Sequence, residues 1–193
     1  MAYLTDSELK SMGFASLGRN VRISSFASFH RPNEMSIGDN SRIDDFCALS
    51  GTIEIGSNVH IAVQSSLVAS REKIKMDDFS GLAFGCHIFS SSDDYSGMTM
   101  TNPTVPAEFK SITHGEVSIG RHVIIGTSSI VFPGVHIADG CSVGALSIVT
   151  KSTEPWGIYV GNPARRVKER SKELLKLEST FILSLRDPKK EKG

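Results

Sequence analysis

Residues 119–149 read IGRHVIIGTSSIVFPGVHIADGCSVGALSIV, and the spacing of their large apolar side chains decides the fold. Ile119, Ile125, Val131, Ile137, Val143 and Val149 recur at every sixth position. The same interval runs through Ile37, Ile43, Leu49, Ile55, Ile61 and Leu67, then through Met76, Leu82 and Ile88, and back to Leu17, Ile23 and Phe29. These are eighteen positions in six groups of three. Four residues after the apolar one the chain usually carries a small side chain, as at Ala27, Ser41, Cys47, Ser65, Ser80, Cys86, Ser129, Cys141 and Ser147. The residue directly after it is often glycine, as at Gly18, Gly38, Gly56, Gly120, Gly126 and Gly144.

A helix needs apolar residues every three or four positions and a half-buried strand every two. A period of six, with one large inward residue, one small inward residue and a tight corner, describes short flat strands joined by turns. Three such strands close a triangular coil of eighteen residues. Six stacked coils, paired at about 4.8 Å, make a prism of about 29 Å.

Composition narrows the function. The 193 residues carry 21 basic and 21 acidic side chains, so no global field favours nucleic acid or an anionic membrane. No apolar run approaches the ~20 residues of a membrane span, and the polar start MAYLTDSELK does not read as a signal peptide. The three cysteines, all in the small inward slot, read as core fillers, and a reduced, cytoplasmic protein is expected. From Arg165 onward ten Lys/Arg face five Asp/Glu, which suggests a basic site for a phosphorylated small molecule.

The departures from the repeat are informative. Short insertions near Arg31–Ser36 and Arg71–Lys75 read as corner bulges. Residues 93–118 break the period altogether, and a loop of that length in a compact domain is usually functional. Thr5-Asp6-Ser7-Glu8 is a capping-box pattern that predicts a short helix from Asp6 to Gly13. After Gly161-Asn162-Pro163 the stretch ARRVKERSKELLKLESTFILSL predicts a helix of about twenty residues. The expected division is a helical cap over residues 1–16, the repeat over 17–160, and a helix with a basic tail over 161–193.

The repeat, the single loop after the fourth coil and the ending IVTKSTEPWGIYVGNPARRVKE resemble the hexapeptide-repeat acyltransferases, all-β proteins with a left-handed parallel β-helix. The resemblance is to galactoside and maltose O-acetyltransferases and to sugar acetyltransferases of surface-polysaccharide pathways, and it covers residues 17–170. It implies a homotrimer, acetyl-CoA as donor with no metal, a sugar or nucleotide-sugar acceptor, and active sites between subunits. Carried onto this chain, it places the pantetheine arm against Thr127 and Ala145, where a small side chain lets the arm reach the backbone. It matches a Thr-Lys pair to Thr150 and Lys151, and sets Arg165, Arg166 and Lys168 on the phosphates of CoA.

The catalytic side departs from the family pattern. The histidine that opens the long loop in galactoside acetyltransferases falls on Asp93 here. A base is still required, because an acceptor must lose a proton as it attacks the thioester. His87, Asp93, Asp94 and His114 are the candidates, and a carboxylate suits an ammonium acceptor as well as a hydroxyl. The family's sugar-binding Asn and Asp fall on Ala62 and Ser70. Ser70, Asp94 and Tyr95 are the acceptor-binding candidates. A non-catalytic scaffold would not need the loop together with the TK and PARR blocks. A metal enzyme of the γ-carbonic anhydrase type would need three converging histidines. His30, His60, His87, His114, His122 and His136 occupy varied slots, with His60 and His87 on different turns.

Overall fold

The computed structural model describes residues 2–186. The repeat folds into six coils, and each coil contributes one strand to each of three parallel sheets. The first sheet begins at Ser16–Leu17 and ends at His136–Ile137. The second begins at Arg22–Ile23, and the third runs from Ser28–His30 to Ile148–Val149. Register follows the period: Leu17 aligns with Ile37, Ile23 with Ile43 and Phe29 with Leu49. Sixteen of the eighteen apolar positions are buried; Leu17 and Phe29, both on the end coil, are half-buried. Each buried aliphatic side chain contributes roughly 1.5–3 kcal/mol, so the column is the main source of stability.

The small inward slot adds polar stitching between coils. The Ser41 hydroxyl donates to Gly56 O at 2.7 Å and accepts from Val59 N at 3.1 Å. Ser129 does the same with Gly144 O and Ser147 N. Cys47, Cys86 and Cys141 fill equivalent positions as free, buried thiols. Burial pushes the Cys47 thiol up to about 11 and raises Cys86 as well, so neither is a ready nucleophile.

Both ends are covered. Helix α1 (Asp6–Ser11) starts in the expected capping box, with Thr5 N on Glu8 Oε2 at 2.7 Å and Glu8 N on Thr5 Oγ1 at 3.3 Å. Leu4 N and Ala2 O bond Ile23 O and Ser25 N, which fixes this segment over the first coil. At the other end the sequence expectation needs correction. Residues 165–169 form a strand rather than the start of a helix, and α2 spans only Leu174–Arg186. The cause is the exposed edge of Gly157–Val160. Its unpaired backbone groups are satisfied when Arg165–Glu169 folds back antiparallel on it, and that pairing overrides helix propensity.

Arg170 then pins the turn, with Nη1 on the carbonyls of His122, Gly140 and Cys141 at 2.7–3.1 Å. Helix α2 docks through Glu178, which accepts from Arg121 and from His122 Nε2 at 2.8 Å. Burial pushes Glu178 up, but the bonds from Arg121 and His122 outweigh it and hold the carboxyl below its usual range. The basic end of the tail, residues 187–193, lies outside the described residues.

The two insertions sit where the third sheet turns into the first. One holds a 3₁₀ turn at Pro32–Glu34. The long excursion leaves from the same side and is shorter than expected. Val117–Ile119 already pairs with Ile74–Met76, so residues 117 and 118 belong to the prism. Nor is it structureless. Ser91–Ser92 pairs antiparallel with Thr113–His114, and a 3₁₀ turn covers Ala107–Phe109.

Candidate active site

The corner between the second and third sheets gathers most of the expected donor-side residues. Thr127 and Ala145 occupy the same corner position on the fifth and sixth coils, and Leu146 N bonds Thr127 O at 2.8 Å. Gly126 makes the close approach possible, since a Cβ there would stand 2.4 Å from Ala145 N. The Gly161–Pro163 turn closes over this corner, with Ile148 N on Gly161 O and Ala164 N on Ile148 O. Arg165 follows immediately, and Arg166 and Lys168 continue along the reversed strand. All three are exposed, and Arg166 pairs with Glu169. Thr150 and Lys151 are not brought to this corner. They follow the last strand of the third sheet and stand exposed at its opposite edge, beside the Ser152 hydroxyl that accepts from His136 N.

The proton-acceptor candidates are spread along the fourth coil. His87 begins the third-sheet strand nearest the donor corner and aligns with Ile130 on the coil of Thr127. It is exposed, and its Nδ1 lies 2.7 Å from Ser66 Oγ. His114 lies at the other edge, paired with Ser91 at the base of the loop. Its Nδ1 is buried with no hydrogen-bond partner among the described residues, a costly state for a polar atom.

Asp93 Oδ2 accepts from Asn102 N at 3.3 Å. Asp94 is tied more firmly, accepting from Ser96 N at 2.8 Å and from Thr99 N and Oγ1 at 3.0 Å. The bonds from Ser96 and Thr99 hold its carboxyl down at about 2, so it organises the loop and is a weak base. Tyr95, beside it, is 91% exposed. Ser70 is exposed and donates its backbone N–H to Ser90 Oγ at 3.0 Å, at the root of the loop.

Sequence reasoning missed the groove itself. Ala62, Ala83, Phe84, Ile124, Thr127 and His60 line a cleft of about 300 Å³ on the second-sheet side of the donor corner. Its walls are mostly apolar, which suits a thioester that must meet its acceptor without water. A larger cleft of about 590 Å³ lies under α2, and His60 and Ile124 line both. One of its residues, His60, stacks beside Arg42 eighteen positions earlier, an interval of one coil. Among the described residues no group of three or more His, Cys, Asp or Glu is arranged to hold a metal ion.

A triangular β-solenoid with one long loop and a small-residue corner defines an acyltransferase of the hexapeptide-repeat class. No family model matches the chain. It is 48% identical over 184 residues, 94% of this chain and 95% of the relative, to a dTDP-4-amino-4,6-dideoxy-D-glucose acyltransferase of Escherichia coli. AntD, an N-acyltransferase from Bacillus cereus solved with dTDP and 3-hydroxybutyryl-CoA, superposes with a TM-score of 0.95 at 42% identity over 97% of this chain and all of that one. An AntD variant holding dTDP-4-amino-4,6-dideoxyglucose and coenzyme A gives 0.94 at 44% identity, covering 95% of this chain and 98% of that chain. The chain belongs to the hexapeptide-repeat sugar acyltransferases, with their left-handed β-helix. It transfers an acyl group from a coenzyme A thioester to a sugar.

Proposed function

We propose that this enzyme moves the acetyl group of acetyl-CoA onto the amino group of a dTDP-linked 4-amino-4,6-dideoxyhexose, in the cytoplasm, as a step toward surface polysaccharide. The observation that carries the reading is the match over nearly the whole chain to an acyltransferase named for that acceptor. The donor lies along the corner of Thr127 and Ala145, with its phosphates toward Arg165, Arg166 and Lys168. The acceptor sugar fills the groove beside Ala62 and Phe84. The amine attacks the thioester carbonyl, a tetrahedral oxyanion forms against backbone N–H groups, and the C–S bond breaks to release coenzyme A as thiol. No acyl-enzyme is needed. The ammonium acceptor first gives up a proton, and His87, Asp93 and His114 are the candidates to take it. Asp94 drops out because its lone pairs already hold the loop.

The working unit is a homotrimer. Thr150 and Lys151 stand across the third sheet from Arg165, so one donor site draws on both groups only if a second copy packs against that sheet. The exposed apolar corner residues Phe84 (59%) and Leu146 (74%) support such packing.

Thiol release with acetyl-CoA and the dTDP-amino sugar tests the reading, with the matching 4-hydroxy sugar nucleotide alongside. Turnover confined to the amine is expected. Turnover on the hydroxyl sugar alone would return the enzyme to O-acetylation.

A further inference from the structure

The second sheet changes character along its length. Its outward strand positions run Arg22, Arg42, His60, Gly81, Ile124 and Ser142 from the first coil to the sixth. Basic side chains are confined to the first three coils of that column, at the end away from the donor phosphates. The corner slot that follows runs Ser24, Asp44, Ala62, Ala83, Gly126 and Gly144. Every coil but the second holds a small residue there.

The exception is a carboxylate whose side chain is only 1% exposed. Burying it is costly unless it is paired. Its Oδ1 faces Arg42 Nε at 3.0 Å. Its Oδ2 lies 3.2 Å from Arg42 Nη2 and 2.8 Å from His60 Nε2, and those two nitrogens are themselves 2.7 Å apart. The Oδ1–Nε approach is an ion pair without hydrogen-bond geometry, so Asp44 holds both side chains through Oδ2. The Arg42 side chain is still 38% exposed, and His60 lines the acceptor groove. A fixed guanidinium beside an imidazole is a donor set suited to phosphate oxygens.

We propose that Arg42 and His60, held in place by Asp44, bind the diphosphate of the acceptor. This rests on the reading of the acceptor as a nucleotide-linked sugar and extends it to the residues that recognise the nucleotide. The order along the prism fits. The coil of His60 lies two steps, about 10 Å, from the coil of Thr127, room for one sugar ring between diphosphate and thioester. One coil beyond His60 toward the N-terminus comes Arg42. On the adjoining corner the exposed rings of Phe26 and Phe46 stand 5.6 Å apart and offer the base an aromatic face. Asp44 acts only by positioning its two partners.

The test is calorimetric titration of dTDP and, separately, of coenzyme A into the wild type, Arg42→Gln and Asp44→Asn, with steady-state kinetics on the dTDP-amino sugar. Arg42→Gln is expected to weaken dTDP binding and raise the acceptor KM by roughly tenfold to a hundredfold, as loss of a charge-assisted contact implies, while coenzyme A affinity holds. Asp44→Asn should act in the same direction. Where it fails to fold, the half-exposed Arg42 variant, checked by its melting temperature, carries the test alone. Unchanged dTDP affinity in folded Arg42→Gln overturns the proposal, as does an equal loss of coenzyme A affinity. Failure of the functional reading looks different: the wild type itself would turn over no nucleotide-linked amino sugar.

Discussion

The prism and its excursion are held by opposite means. In the prism, side chains on successive coils share one column, and each buried aliphatic rests on the coils above and below. In the loop, Tyr95, Met98 and Met100 are exposed, and order comes from carboxylates and hydroxyls that cap backbone N–H groups. The contrast separates stability from chemistry. A residue in the column should change whether the protein folds, and a residue in the loop should change what the folded protein does.

The sharpest way to break that division is a cavity in the column. Ile61→Ala, at a fully buried position, should cost about 2–5 kcal/mol in denaturant unfolding. A loss below 1 kcal/mol would mean that the coils are not one cooperative core. The converse test is Asp93→Asn. Its expected effect is a fall in kcat of about a hundredfold or more, with an unfolding midpoint within a degree of wild type. A large shift in midpoint would make Asp93 structural.

A smaller effect is expected where α2 meets the prism. Glu178→Gln should lower stability by about 1–3 kcal/mol, because the negative charge is lost and one of the two oxygens that accept from Arg121 and His122 becomes an NH2 donor. Since the folded-state pKa of Glu178 is depressed, its contribution is full above its ordinary value of 4.5 and fades as the pH falls through the lower folded value. Acid unfolding of wild type and variant should therefore converge once the pH has fallen below that folded value. Asp94, held at about 2, predicts the same sign for loop order alone: full above about pH 4, and lost as the pH approaches 2. Protease cleavage within residues 94–102 at graded acid pH measures it, with pepsin as the protease. The smallest effect concerns the thiols. Iodoacetamide at pH 8 should leave Cys47 and Cys86 unmodified in the native protein and label both in denaturant.

The column was legible because a buried position must repeat wherever the backbone repeats, so Ile37, Ile55 and Met76 announce one another. The C-terminal segment was not. RRVKE carries no period that separates helix from strand, and the edge of Gly157–Val160 decided its fate. The site was legible on its donor side, where small residues such as Thr127 and Ala145 sit inside the repeat. Its acceptor side was hidden in the interval of a whole coil. Arg42, Asp44 and His60 read as scattered polar residues until the coils place them in contact, and the apolar groove of Phe84 and Ile124 joins coils that the loop separates in sequence.

The two covered ends have a consequence for the molecule outside its own boundaries. Each coil is a template for the next, and nothing in the coils themselves says where the stack should stop. An uncovered last coil would present three strand edges in register with the first coil of another copy, the geometry from which filaments grow. The N-terminal segment with α1 closes one end; at the other the reversed strand at Arg165–Glu169 takes the second sheet's edge, while Thr153, Gly161 and Ala164 bond the last strands of the other two. The reversal that follows Arg165 thus also occupies an edge that the next coil of another copy would otherwise extend.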